Sequence, residues 1–145
     1  MFIEKVSEFN TELYRAICEL VPQLGAHKII PTQDEVVALL NSEASTLLIA
    51  RYPDEESKIV GILTISIYRV PTGVRSIVED VIVDNSMRRS GIAKALMNAA
   101  IEFARDAGAN GVALTSNFQR VEAHLLYQNM GFTKRETNAY FYKLK

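Results

Sequence analysis

The sequence has little cysteine, no excess of one charge and no long apolar run. Its 145 residues include one cysteine and no tryptophan. One cysteine cannot form a disulfide within the chain, so a disulfide-stapled secreted fold is excluded. No apolar stretch approaches the roughly 20 residues that span a bilayer. The N-terminal segment carries Glu4 and Glu8 where a signal peptide needs a basic start and an apolar run. We therefore expect a soluble, cytoplasmic protein that contacts no membrane.

Charge and metal-ligand patterns exclude two further classes. The 16 lysines and arginines against 17 aspartates and glutamates give a formal net charge of −1. A nucleic-acid-binding protein normally shows a basic stripe, so nucleic acid is not an expected partner. The cysteine and the two histidines lack the spacing of metal ligands, so no metal is expected. The length suits one domain over residues 1–145, with an ordinary core.

Apolar periodicity along the chain predicts an α/β fold. The order of elements is β-α-α-β-β-β-α-β-α-β-β, and strands on both sides of the third helix imply a crossover within a mostly antiparallel sheet. The 111–115 strand is a compact apolar run of the kind found inside a sheet. The predicted segments are a strand at 2–6, a helix capped by Ser7, a helix opened by Pro31 and Thr32 with Glu35 in a capping box, strands at 46–51, 59–68 and 76–83, a helix at 92–107, a strand at 111–115, a helix at 120–130, and closing strands at Phe132 and 139–144.

A strand, a short glycine-containing loop and a long helix follow one another between Val81 and Ala107. The first amides of a helix have no intrahelical partner, and the helix dipole adds partial positive charge there. Gly91 permits close approach of the backbone to a ligand, while Arg88 and Arg89 add fixed charge. Such a loop suits a pyrophosphate, although an ordinary helix start with solvated arginines has the same pattern. The G-x-G-x-x-G dinucleotide fingerprint is absent.

Two segments together resemble the GNAT acetyltransferases. Arg88-x-x-Gly91-x-Ala93 is similar to the acetyl-CoA signature of that family, Q/R-x-x-G-x-G/A. Ala123, Tyr127 and the pair Gly131-Phe132 match its A-x-x-x-Y-x-x-x-G-F segment. The predicted order of elements is also that of the family. The resemblance implies a GNAT fold, which is a mixed, mostly antiparallel twisted sheet flanked by helices, with a V-shaped splay between two central strands.

The resemblance also implies acetyl-CoA as co-substrate and assigns residues to it. The backbone at Val81, Ile82 and Val83 would pair with the pantetheine arm like an added strand. Ser116 and Asn117 lie where polar groups can reach the same arm. Arg120 stands at a position where asparagine is common in the family. Two roles for it remain as alternatives, a contact with a cofactor phosphate and a surface salt bridge. The backbone amides that would hold the pyrophosphate belong to Arg88, Arg89, Ser90, Gly91, Ile92 and Ala93.

Two residues are candidates for acid–base catalysis of direct acetyl transfer, without a covalent enzyme intermediate. Tyr127 occupies the motif position whose phenol points at the thioester sulfur in the family, and a phenol with a pKa of about 10 stays protonated at neutral pH. Glu79 stands where several members carry a carboxylate base that deprotonates the amine. The alternative for Tyr127 is a helix tyrosine that only packs in the core. The alternative for Glu79 is a carboxylate that makes a structural hydrogen bond. Asp80 is a second candidate base, because alternate residues of a strand face opposite ways.

The expected acceptor is a primary amine of a small molecule or an exposed peptide. It would be shaped by the first two helices, over 7–42, and by the turn at 133–138. Two other functions fit the same motifs: transfer of a longer acyl group, and a CoA-binding regulatory module without turnover. The sequence does not determine the oligomeric state, and a homodimer is among the alternatives.

Overall fold

The computed structural model describes residues 1–116 and 120–145, which fall into two compact units, Met1–Thr115 and Ser116–Lys145. In the first unit, helices and strands alternate much as the periodicity predicts. The elements are β1 (Phe2–Lys5), α1 (Thr11–Leu24), α2 (Gln33–Asn41), β2 (Ser45–Arg51), β3 (Ile59–Val70), β4 (Gly73–Val83), a short 3-10 helix (Asn85–Met87), α3 (Ile92–Asp106), β5 (Val112–Leu114) and, in the second unit, α4 (Val121–Asn129).

The five strands form one mixed sheet in the order β1-β2-β3-β4-β5. Neighbours are antiparallel except β4 and β5, which are parallel and joined through α3. The predicted crossover is therefore confirmed. The prediction that the 111–115 strand lies inside the sheet is wrong for the described residues, where β5 is a half-buried edge strand. A short apolar run has the same sequence pattern at an edge and in the interior, so periodicity could not distinguish them.

Helices cover both faces of the sheet. On one face, α1 and α2 pack against alternate residues of β2, and Leu47 and Ile49 belong to this cluster. Leu48 and Ala50 are buried as well and point to the opposite face, as alternation requires. On the face that bears α3, a Cβ at Gly61 would lie 3.1 Å from Ile92 Cγ2 and 3.2 Å from a Leu96 methyl group. Glycine at this position lets α3 approach β3 closely.

The two N-terminal helices begin at different kinds of cap. α2 has the predicted capping box: Glu35 N–H donates to Thr32 Oγ1 at 3.1 Å, and Thr32 N–H donates to Glu35 Oε1 at 2.9 Å. The prediction that Ser7 caps α1 is wrong. The Val6 N–H still donates to Leu47 O, so the chain follows β2 at that point, and Asn10 caps the helix by accepting from Leu13 N at 2.7 Å. No described helix is long and apolar enough to cross a membrane.

The predicted closing strands are absent from the described residues of the second unit. After α4 the backbone of residues 132–145 has no regular structure. Tyr140 and Tyr142 are 90% and 86% exposed. Their alternation shows compatibility with a strand, but a strand forms only where its backbone groups find a hydrogen-bonded neighbour. The sequence pattern carries no information about that neighbour.

Candidate functional site

The edge of β4 that faces β5 is only partly paired. The ladder joins Ser76, Ile77 and Val78 to Val112–Leu114 and ends there. The strand itself continues to Val83. Among the described residues, the backbone from Glu79 to Val83 is therefore unpaired on this side, although its other side is bonded to β3. An unpaired strand edge offers N–H and C=O groups to an extended ligand. The early end of this ladder is compatible with the predicted splay, although β5 is an edge strand of the described sheet and not a central one.

A β-bulge interrupts β4 at the two candidate bases. Thr64 pairs with Glu79 and Ile62 pairs with Ile82, so two residues of β4 oppose the single residue between them on β3. Asp80 has φ +51°, in the left-handed region that aspartate tolerates better than most residues. Both Glu79 and Asp80 are exposed. Because alternation does not hold across a bulge, it cannot decide which carboxylate faces an acceptor.

Asp80 lines a cavity of about 280 Å³ between α1, α2 and the sheet. We call it the α1–α2 cavity. Its sheet side also includes Thr64, Ile62 and Ile82, and its helix side is mainly aliphatic. Part of the cavity lining comes from the region 7–42, which is predicted to shape the acceptor site together with the turn at 133–138. Of the two candidate bases, Asp80 is the one that contributes to its lining.

The loop after β4 is organised by Asp84. Its Oδ1 accepts from the backbone N–H of Ser86 at 3.0 Å and from the Ser86 hydroxyl at 2.9 Å. These hydrogen bonds, with a smaller contribution from the charge of Lys58, lower the pKa of Asp84. The Asp84 N–H donates to Val60 O at 2.8 Å, and the N–H of Asn85 donates to Gln23 Oε1 at 2.8 Å. The loop is thus tied to both β3 and α1.

The residues between this loop and α3 leave the helix N-terminus open. Gly91 is the N-cap, with φ +82° and no side-chain capping bond. A Cβ there would meet no atom within 4 Å. The helical hydrogen bonding begins at the N-cap, where the Ala95 N–H donates to Gly91 O at 3.0 Å. The first-turn amides therefore have no acceptor within the helix. Arg88 and Arg89 are exposed beside them, and the Ser90 hydroxyl donates to Met87 O.

The second unit contains Tyr127 on α4. Its ring makes an edge contact with Phe132, with centroids 5.9 Å apart, and the Phe132 N–H donates to Tyr127 O at 2.9 Å. Burial raises the pKa of Tyr127, and the positive charge of Arg120 opposes that shift in part. Arg120 is exposed and occupies the N-cap position without a side-chain capping bond. The phenol therefore holds its proton at neutral pH.

The remaining predicted cofactor residues divide between backbone and side-chain roles. Ile82 is 4% exposed, and its side chain belongs to the core beside the α1–α2 cavity, so its predicted contact with the pantetheine arm falls to its backbone. The Ser116 hydroxyl oxygen is buried and has no hydrogen-bond partner among the described residues. Asn117 lies outside the described residues. No group of three or more described His, Cys, Asp or Glu residues could hold a metal ion.

The predicted residues from Glu79 to Ala93 lie along β4, the loop that follows it and the first turn of α3. Three supporting residues were missed. Asp84 and Ser86 had a signal, because Asp followed two residues later by Ser is typical of an Asx turn. Gln23 had none, because its partner Asn85 lies 62 residues away in the chain.

Comparison with known proteins decides the family. The model of the acetyltransferase (GNAT) family matches residues 14–132, which is most of the chain. The chain belongs to the GNAT family. This confirms the resemblance and the α/β fold class, and the family is one of acetyltransferases, which use acetyl-CoA as co-substrate.

Individual relatives match this chain either over a short segment or at low sequence identity. Human N-acetyltransferase 8 is 48% identical over 52 residues, which cover 36% of this chain and 23% of that protein. An aminoglycoside acetyltransferase from an uncultured soil metagenomic sample, solved with sisomicin, has a TM-score of 0.85 at 22% identity, over 99% of this chain and 96% of that one. A transcriptional regulator from Bacillus halodurans C-125 has a TM-score of 0.79 at 22% identity, over 98% and 100% of the two chains. The solved structures show the fold of this GNAT chain.

Proposed function

We propose that this GNAT chain transfers the acetyl group of acetyl-CoA to a primary amine. One observation carries the proposal. The unpaired edge of β4 from Glu79 to Val83 runs, through a loop held by Asp84, to the uncapped N-terminus of α3. A strand edge followed by free helix amides suits a ligand that has an amide-containing arm and a pyrophosphate.

In the first unit, the described residues fit acetyl-CoA in two places. One is the backbone at Val81, Ile82 and Val83, which would pair with the pantetheine amides. Ser116, in the second unit, stays a predicted polar contact to that arm. When bound, acetyl-CoA supplies an acetyl group activated as a thioester. The backbone amides that would hold the pyrophosphate are those of Arg88, Arg89, Ser90, Gly91, Ile92 and Ala93. Arg120 and Asn117 stay predicted contacts.

Tyr127 is proposed as the general acid. Its motif position and its raised pKa, caused by burial, make it a phenol that keeps its proton until the sulfur departs. Its matching base is one of the β4 carboxylates. The motif position favours Glu79, whereas the lining of the α1–α2 cavity favours Asp80. In either case a carboxylate takes the proton of the amine before or during its attack on the thioester.

An amine acceptor is supported by the relatives. Human N-acetyltransferase 8 is named for transfer to nitrogen. The similar soil-sample enzyme is an aminoglycoside acetyltransferase solved with the amine sisomicin. In this chain, two carboxylates line the α1–α2 cavity, Glu35 and Asp80, and negative charge suits a cationic amine. A small-molecule amine or an exposed peptide amine fits this proposal equally.

The second candidate is a CoA-binding regulatory module without turnover. The observation that favours it is the likeness to the solved transcriptional regulator from Bacillus halodurans. The two functions differ in one measurable quantity, the release of free CoA thiol.

The test is a thiol-release assay with acetyl-CoA and a panel of primary amines, run with Tyr127→Phe in parallel. We expect release above the amine-free rate, and a large loss of it in the variant. Acetyl-CoA binding by calorimetry without thiol release from any amine would favour the regulatory module. Absence of both binding and release would overturn both functions.

A further inference from the structure

We propose that the acceptor is a small primary amine with one apolar body, bound in the α1–α2 cavity with its ammonium group on Asp80. This inference rests on the proposed amine acetylation and names the class of amine. It is carried by the combination of an aliphatic wall, a limited volume and one exposed carboxylate that has no hydrogen-bond or ion-pair partner among the described residues.

The Asp80 carboxylate is unusual among the acidic groups of the cavity. It makes no hydrogen bond or ion pair with the residues that the structure describes. Glu35, the other lining carboxylate, already accepts the Thr32 N–H at 2.9 Å within the α2 capping box. Asp80 is exposed, so water solvates its carboxylate in the free protein, and a ligand cation that donates hydrogen bonds would take the place of that water beside the apolar wall. The β-bulge, with φ +51° at Asp80, holds the residue in this place.

The side chains that line the cavity around Asp80 are mainly aliphatic, so they suit an apolar ligand better than a hydroxylated one. α1 contributes Ile17, Val21 and Leu24, and α2 contributes Val36 and Leu39. Each methylene of a ligand buried against such side chains is favoured by the hydrophobic effect. A polyhydroxylated or polycationic body would lose its hydration there without finding partners. The wall therefore selects an aliphatic or aromatic substituent on the amine.

The volume of the α1–α2 cavity and the charge of its lining restrict the class of amine further. About 280 Å³ lies just below the roughly 300–1,000 Å³ of pockets that hold drug-sized ligands, so the occupant is small. Among the described lining residues, Lys28 is the cation that opposes Glu35 and Asp80, and it is exposed to solvent. The lining charge is thus two negative against one positive, which favours a ligand with a single positive charge.

Ile29 offers a way to test the wall without damaging the core. It lines the cavity and yet is 90% exposed, so a polar replacement should not unfold the protein. Its neighbour Ile30 is 44% exposed and does not line the cavity. Ile30→Ser is therefore a matched control for Ile29→Ser. Asp80→Asn is the matched change at the carboxylate, because asparagine tolerates positive φ as aspartate does and removes only the charge.

The experiment measures kcat/KM for a series of straight-chain amines from methylamine to pentylamine, with 2-phenylethylamine, glucosamine and spermidine for comparison. We expect kcat/KM to rise about threefold to fourfold per methylene, the factor that corresponds to about 0.8 kcal/mol of burial. 2-Phenylethylamine should exceed glucosamine and spermidine at least tenfold. Ile29→Ser should flatten the series, and Ile30→Ser should leave it unchanged.

A binding measurement separates this inference from the proposed catalysis. Calorimetric titration of 2-phenylethylamine needs no turnover, and Asp80→Asn should weaken that binding at least tenfold while leaving acetyl-CoA affinity unchanged. If amines release thiol but glucosamine or spermidine is preferred, the class named here is overturned and acetylation stands. If no amine releases thiol, binding that depends on Asp80 still supports the cavity, and absence of binding overturns it.

Discussion

Gln23 on α1 accepts a hydrogen bond at 2.8 Å from the backbone N–H of Asn85, in the loop that precedes α3. The helix that supplies one wall of the α1–α2 cavity is thereby joined to the loop proposed to hold the pyrophosphate. The contact fixes the start of the 3-10 helix at Asn85–Met87. The elements proposed to hold the acceptor and the cofactor in the first unit thus share a direct hydrogen bond.

Loss of this bond should weaken cofactor binding. Gln23→Leu keeps the size of the side chain and removes the acceptor. One exposed neutral hydrogen bond contributes about 0.5–1 kcal/mol, so the Kd for acetyl-CoA should rise about twofold to fivefold. Calorimetric titration measures it, with Gln33→Leu on the exposed start of α2 as control. Equal Kd values for the two variants would show that the contact does not support the loop.

Gly91 should matter through its backbone conformation and its place in the cofactor loop. Gly91→Ala forces an L-residue into φ +82°, at about 1–2 kcal/mol of stability, although a Cβ there meets no atom within 4 Å. Gly108, with φ +80° and the same open space, is a matched control at the other end of α3. Urea unfolding should show similar losses in Gly91→Ala and Gly108→Ala.

Only the change at Gly91 should affect acetyl-CoA. We expect Gly91→Ala to weaken binding and Gly91→Val, which is β-branched, to abolish the thermal shift that acetyl-CoA causes. Gly108→Ala should bind like the parent protein. A Gly91→Val protein that is folded and still binds acetyl-CoA with the parental Kd would remove the loop from the site.

Tyr127→Phe should lower turnover by about 10²–10⁴-fold, the usual size of one general-acid contribution. The ring contact with Phe132 is kept, so stability and acetyl-CoA affinity should be unchanged. Tyr68→Phe, on the exposed end of β3, is the control and should turn over normally. Parental turnover of Tyr127→Phe under conditions where the chemical step limits the rate would exclude Tyr127 as the acid.

The contribution of Tyr127 to the pH dependence of activity follows from the direction of its pKa shift. Burial raises the pKa of the phenol above 10.0, so the proton is retained at every pH below that value. Activity should therefore rise toward alkaline pH as the amine or the base loses its proton, with no loss from Tyr127 before pH 10. A descending limb below pH 9 that disappears in Tyr127→Phe would contradict this assignment.

Glu12 should stabilise the first unit through Arg51. The Arg51 guanidinium donates to both oxygens of Glu12 at 2.9 and 2.8 Å and to Ser57 O at 2.8 Å. The bond to Arg51 is the main cause of the lowered pKa of Glu12. We expect Glu12→Gln to lose about 0.5–1 kcal/mol at pH 7, and Glu102→Gln, in an exposed pair with Arg105, to lose less.

The pH dependence of this loss has a definite sign. Because the folded pKa of Glu12 lies below 4.5, the stabilisation is fully present above pH 4.5 and is lost as pH falls through the folded pKa. The difference in unfolding free energy between the parent and Glu12→Gln, measured in urea, should shrink toward zero on acidification. A difference that grows on acidification would show that Arg51 does not lower the pKa of Glu12.

Local patterns were the most predictable part of this fold. The capping box of Thr32 and Glu35 was predictable because both partners lie within one helical turn, so no distant contact decides it. Family membership followed from Arg88, Gly91, Ala93 and Tyr127 for a similar reason, since each motif is read within one strand-loop-helix or one helix. The start of α1 was not predictable from the sequence. The hydrogen bond from the Val6 N–H to Leu47 O in β2 keeps the chain beside that strand, so the helix begins later than predicted, with Asn10 as its cap.

The sequence by itself determined the order of the elements, the GNAT signatures and the candidate residues of the cofactor loop, because these depend on neighbours along the chain. Tertiary structure alone decided that β5 is an edge strand, that pairing with β4 stops at Val78, and that a bulge places Asp80 in the α1–α2 cavity. Each of these depends on hydrogen bonds or packing between strands and helices far apart in the chain. Periodicity shows which side of an element is apolar, and contacts between elements decide what that side meets.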